Sequence, residues 1–279
     1  MENSMATSKL ESASDSTKVM VTVASNDTVH DAGAPLIALK ATLPNTSVGK
    51  VSTPHFDESR TREEFRALKR HLMTRFAPKA DGEVSEPRTI LLTSASPQEG
   101  KTTVTLGLAM SFMYERDWRV VLIDADMRSP ELSRRSNLAE EVGLLDYLDD
   151  ESLEIKDAVY PTNVDGVLIV PAGKPRIDAP ELITTERMTQ LLKAIHAENQ
   201  RSIVLIDSGS ILGCSETVSL AHHAAHILFV VSKGQTKKSD INEGIKLLHR
   251  QAGGVDESRV ALVLNRTDHS QSPVRYAPR

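Results

Sequence analysis

Thr93-Ser-Ala-Ser-Pro-Gln-Glu-Gly-Lys-Thr-Thr103 is the stretch on which the reading of this chain turns. The apolar run Thr89–Thr93 predicts a strand leading into it, and a helix is predicted to open at Lys101. Between a strand and a helix, such a segment reads as a phosphate-binding loop. Backbone N–H groups of the loop and of the helix N-terminus then point at the phosphates of a nucleotide. Pro97, Gln98, Glu99, Gly100, Lys101, Thr102 and Thr103 are the expected nucleotide contacts. Lys101 would set a positive charge against the β and γ oxygens of ATP, and the Thr102 hydroxyl would ligate Mg2+. The general pattern G-x-x-x-x-G-K-[ST] is met in full at Gly100-Lys101-Thr102, whereas Ala95 stands at its first glycine position.

Two further stretches support the loop. In Val120-Val-Leu-Ile-Asp-Ala-Asp-Met-Arg-Ser-Pro130, four apolar residues deliver Asp124 and Asp126 to the carboxyl end of a strand, where open α/β sheets bind ligands. Side chains two apart on an extended segment share a face, so both acids could approach one metal or one nucleophile. Ile203-Val-Leu-Ile-Asp207 repeats the arrangement with a single acid.

The remaining apolar runs set the fold class. Thr89–Thr93, Val120–Ile123, Val167–Val170, Ser202–Ile206, Ile227–Val231 and Val260–Leu264 are apolar throughout and do not alternate, which marks strands buried on both faces. Helices are expected at about Lys101–Arg116, Glu181–Ala197, Glu216–Ala225 and Lys238–Gln251. An earlier one, carrying Phe65, Leu68, Leu72 and Phe76 at helical spacing, follows a capping box at Thr61 and Glu64. This alternation predicts an α/β fold, a doubly wound, mostly parallel sheet of the P-loop NTPase kind.

Residues 56–268 form the expected domain. Before it, residues 1–55 read as a disordered tail, since 15 Ser or Thr fall within the first 53 positions and so polar a segment cannot offset its ordering entropy. Residues 269–279 read as a second loose tail. The formal charge of −5 offers no basic field for nucleic acid. No apolar run reaches the roughly 18–20 residues that span a bilayer, and one cysteine, Cys214, excludes an internal disulfide. A cytoplasmic setting is expected, with any membrane role exercised through a partner. His222 and His226 lie four apart but lack a third ligand, so they are not read as a metal site.

In order and spacing, TSASPQEGKTT, VVLIDADMRSP and IVLIDS resemble the Walker A, Walker A′ and Walker B motifs of the bacterial tyrosine (BY) kinases, which have a MinD-like fold. The D-x-D-x-R form at Asp124, Asp126 and Arg128 separates that family from partitioning and cell-division ATPases. Glu63, Arg66 and Lys69 resemble its E-x-x-R-x-x-R helix, which mediates ring formation, and EEFRALKRHL with YERDWRVVLIDAD looks most like the exosortase-associated subtype. The resemblance implies an ATP- and Mg2+-dependent protein-tyrosine autokinase of exopolysaccharide synthesis. It would work at the inner face of the membrane beside a polysaccharide co-polymerase (chain-length-regulator) adaptor. Lys101, Asp124, Asp126 and Asp207 would be catalytic, with Thr102, Asp124 and Asp207 organising the metal. Arg128 would lie near the phosphates, Asn265 would contact adenine, and Tyr276 would be the phosphosite. The chain departs from the family at Gln98, in place of an inner glycine, and at Ser208-Gly-Ser210, in place of Thr-Pro-Pro; Tyr276 is the sole tyrosine of its tail. A degenerate nucleotide-binding scaffold and a partitioning-type ATPase switch are the alternatives.

Overall fold

The computed structural model describes residues 20–23, 49–51, 59–76, 88–115, 118–198, 201–251 and 255–266. Its elements, in chain order, are β1 (Met20–Val23), α1 (Ser59–Arg75), β2 (Thr89–Ser94), α2 (Lys101–Phe112), β3 (Arg119–Ala125), α3 (Glu131–Arg135), α4 (Leu144–Asp149), α5 (Ile155–Ala158), β4 (Tyr160–Pro161), β5 (Val167–Val170), α6 (Ala179–Ile183), α7 (Glu186–Glu198), β6 (Ser202–Ser210), α8 (Ser215–Leu220), β7 (His226–Ser232), α9 (Lys238–Gln251) and β8 (Val260–Asn265). The strands form one sheet in the order β1-β8-β7-β2-β6-β3-β5-β4, parallel except for β4 against β5.

The unbroken apolar strands are explained by two cores. Ile90, Leu92, Val120, Leu122, Ile203, Leu205, Leu228 and Val230 pack under α1 and α2. Their neighbours Leu91, Val121, Ile123, Val204, Ile206, Ile227 and Phe229 face α4, α7, α8 and α9. Alternate residues thus serve opposite faces, and both faces are dry. The doubly wound α/β sheet expected from the sequence is the one observed.

Helix α2 is buried on nearly all sides, between the sheet and α1. Its Gly107 admits the ring of Phe65, which is 2% exposed; a Cβ there would lie 2.1 Å from Phe65 Cζ. The missing side chain of α2 is therefore the seat of α1.

Several boundaries differ from expectation. The segment expected to be one helix over Glu181–Ala197 is two, because the Thr184 and Thr185 hydroxyls donate to the carbonyls of Glu181 and Leu182, both at 2.7 Å, and close the first. Helix α1 starts at Ser59, so Thr61 and Glu64 lie inside it and are buried rather than capping it. Strand β6 runs on to Ser210, past a bulge against β2, and the Ile211 N–H donates to Ser94 O at 2.8 Å. Prolines after Asp207 could not donate to such a ladder; Ser208-Gly-Ser210 can.

Two short pieces of the N-terminal segment that the sequence reads as a tail lie against the sheet. Met20–Val23 pair in parallel with Leu262–Asn265, and Gly49 bridges Thr162 while the Val51 N–H donates to Asn163 Oδ1 at 2.7 Å. No helix among the described residues is long and apolar enough to cross a membrane.

Helix propensity favours alanine over glycine by about 1 kcal/mol, but overlap with a buried ring costs about 1–3 kcal/mol. Gly107→Ala is therefore expected to lower stability in urea denaturation, and Phe65→Leu added to it to recover part of the loss.

Candidate active site

Register puts the site together. In the β3–β6 ladder Asp124 lies directly opposite Asp207, at the carboxyl ends of adjacent strands. Both side chains are at most 1% exposed. Burial pushes both carboxyls up, Asp124 to about 7, with the Asp207 charge as second cause, and Asp207 to about 6.

Donors partly compensate this burial. Asp124 Oδ2 accepts from the Ser133 N–H and hydroxyl, both at 2.7 Å, and Oδ1 accepts from the Asp126 N–H at 3.2 Å. Ser133 is itself held by the Ala172 N–H, 2.9 Å from its Oγ. Asp207 accepts from the Thr105 hydroxyl at 3.2 Å and from the Thr102 hydroxyl, with the Lys101 charge close by. Lys101 is 7% exposed at the N-terminus of α2, so its ammonium stays at the sheet edge with the acids. Asp126 is half-buried, and its Oδ1 accepts from the Ser129 N–H at 3.1 Å.

The phosphate loop is tied from behind. Gly100 adopts φ 95°, and a Cβ on it would lie 2.0 Å from Asn265 Nδ2. Gln98 adopts φ 62°, the left-handed conformation that the family's glycine would take without strain. Glu99 is buried; its carboxylate accepts from the Ser96 N–H at 3.2 Å and the Thr236 hydroxyl at 2.6 Å. Pro97 and Gln98 are exposed, and Thr102 and Thr103 are half-buried.

Asn265 is fully buried, donating to Glu99 O at 2.9 Å and accepting from the Arg266 N–H at 2.9 Å, so its amide braces the loop. Of the residues that resemble the oligomerisation motif, Lys69 is buried and paired with Glu115, while Glu63 and Arg66, paired with each other, lie nearer solvent. Arg128 is exposed beyond the β3 end, and Tyr276 lies outside the described residues. Ser133, Thr105 and Thr236 escaped the sequence reading. Only Thr105 had a signal there, one helical turn after Lys101. No three His, Cys, Asp or Glu among the described residues are placed to hold a metal, the His222–His226 stretch included.

The donor set nevertheless suits one hard divalent cation. Two buried carboxylates and a threonine hydroxyl converge at the mouth of the phosphate loop, with both acids short of positive charge.

A left-handed glycine opening a helix, a buried lysine behind it and two strand-end acids facing it define a P-loop nucleotide-binding domain. Residues 90–274 match the CobQ/CobB/MinD/ParA nucleotide binding domain, and the chain belongs to that family. The relatives include proteins named as tyrosine-protein kinases and one named as a succinoglycan biosynthesis transport protein. The succinoglycan biosynthesis transport protein ExoP of Rhizobium meliloti is 29% identical over 195 residues, 67% of this chain and 23% of that protein. The tyrosine-protein kinase YwqD of Bacillus subtilis is 30% identical over 151 residues, 54% of this chain and 62% of that protein. Among solved structures, the BceF tyrosine kinase domain superposes with a TM-score of 0.64 at 27% identity, covering 79% of this chain and 83% of that one. The chain thus spans less than two thirds of the length of the curated relatives it matches first.

A carboxyl raised by folding binds its proton more tightly in the folded state. Its contribution is complete at low pH and is lost as pH rises from the ordinary 3.8 through about 6 to 7. Asp207→Asn, whose hydroxyl partners can turn to suit the amide, is therefore expected to stabilise the metal-free protein at pH 8. The gain should be about 1–3 kcal/mol, roughly 2–10 °C in melting temperature, with a flatter pH dependence. The same variant should lose Mg2+-dependent nucleotide binding. Thermal melts in EDTA across pH, beside calorimetric titration, check both.

Proposed function

We propose that this chain is an ATP-dependent protein-tyrosine kinase of exopolysaccharide synthesis. The carrying observation is the division of labour among three acids. Asp124 and Asp207 are buried abreast, while Asp126, two residues on, stays accessible. The relatives' names agree with this reading.

Mg2+ bound with ATP would neutralise charge on the transferring phosphoryl group. Asp124, Asp207 and Thr102 would hold the ion, directly or through water. Lys101 and the loop N–H groups would fix the β and γ oxygens in the line of attack. Asp126 would accept the proton of an incoming tyrosine hydroxyl, and Arg128 would meet the phosphates or the acceptor. Positioning and charge neutralisation are most of what such a transfer needs. Glu63 and Arg66 would join copies of the chain, and a membrane chain-length-regulator adaptor would bring the kinase to its site of action. Tyr276 remains the proposed acceptor of the C-terminal tail. A partitioning-type switch would need the metal-binding acids but not Asp126.

Lys101→Met is expected to abolish most ATP binding with the fold intact, by calorimetry and circular dichroism. Asp126→Asn should leave the Kd for Mg-ATP within about threefold and lower kcat by about 100-fold or more, the range of a lost general base. Phosphotyrosine on an adaptor tail peptide is the readout. ATP hydrolysis without phosphotyrosine, unchanged in Asp126→Asn, would instead favour the switch.

A further inference from the structure

Tyr114 differs from the other tyrosines of the described residues. Tyr147 and Tyr160 are 4% and 2% exposed, whereas Tyr114 is 62% exposed in the turn after α2. The guanidinium of Arg66, on α1, lies 5.6 Å from the centre of its ring. Arg66 is the middle of three exposed arginines, Arg62, Arg66 and Arg70, spaced four apart on one face of α1. Like charges at that spacing repel. An exposed phenol therefore stands beside a row of guanidinium groups, the side chains best shaped to grip a phosphate through paired N–H donors.

We propose that Tyr114 is a phosphorylation site, modified in trans, and that the arginine face of α1 holds the phosphate it acquires. The inference rests on the kinase reading above. In the transfer, the bond from the γ-phosphorus of ATP to the bridging oxygen breaks and releases ADP. A new P–O bond forms at the phenolic oxygen of Tyr114, and the phenolic proton passes to Asp126 of the copy that holds ATP. Transfer within one chain is excluded by geometry, because Lys101 opens α2 and Tyr114 follows its far end. At 1.5 Å per residue the two are separated by about 20 Å along a rigid, buried helix. The acceptor must enter the site of a second copy. Once attached, a phosphate of about −1.5 to −2 charge would draw Arg66 from Glu63 and settle the repulsion along the arginine row. Tyr114 would then report the activity of neighbouring copies at the very helix expected to join them.

The test uses the full chain. Lys101→Met protein, inactive as donor, is incubated with Mg-ATP alone or with wild-type protein, and phosphotyrosine is mapped by mass spectrometry. Phosphate on Tyr114 of the Lys101→Met chain only when wild type is present is the expected result. In 31P NMR, phospho-Tyr114 should titrate below the usual second pKa of about 6 in the wild-type background and return to it in Arg66→Gln. Phosphotyrosine elsewhere, at Tyr276 for example, with Tyr114 unmodified would overturn this inference and leave the kinase reading standing. No phosphotyrosine on the chain or on an added adaptor peptide would overturn both. A phospho-Tyr114 titration that Arg66→Gln does not move would overturn the phosphate-holding role.

Discussion

Two carboxylates are held side by side without water at the ends of β3 and β6, and much of the site is arranged around that burden. Removing an ion from water costs several kcal/mol even after relaxation, and a like charge alongside adds to it. The structure answers with donors from two helices: Ser133 from α3, and Thr102 and Thr105 from α2, whose Lys101 adds positive charge. What is left uncompensated keeps both carboxyls above the ordinary carboxylate range, a cost that a bound cation would relieve.

The same site depends on a loop that would not hold its shape alone. Gln98 and Gly100 both sit at positive φ, and a non-glycine residue there is a local strain. Asn265 and Thr236, from the ends of β8 and the β7–α9 connection, fasten Glu99 by backbone and side chain and so keep the strained turn in place. Sheet edge and phosphate loop are thereby one unit. Helix α2 carries that unit through the core to the far side, where Gly107 seats Phe65 and Arg66 leans over Tyr114. One buried helix thus touches both the phosphate loop and α1.

Much of this was legible in the sequence. The strand cores, the loop at Gly100-Lys101-Thr102 and the acids at Asp124 and Asp207 follow from local pattern alone, because a strand buried on both faces must be continuously apolar and a phosphate site must open a helix. The type of fold and the sheet edge that carries the phosphate loop were determined there. The partners were not. That Asp124 faces Asp207 is a matter of register between strands 83 positions apart, and that Ser133 serves Asp124 depends on a chain reversal with no local signature. That Asn265 braces Glu99 and that Lys69 is buried against Glu115 are likewise contacts between distant segments. That Met20–Val23 pairs with the edge of β8 has no local signature either. Sequence pattern records what each residue needs from its immediate neighbours, while burial, charge compensation and edge pairing are settled between segments that meet only when the sheet has formed.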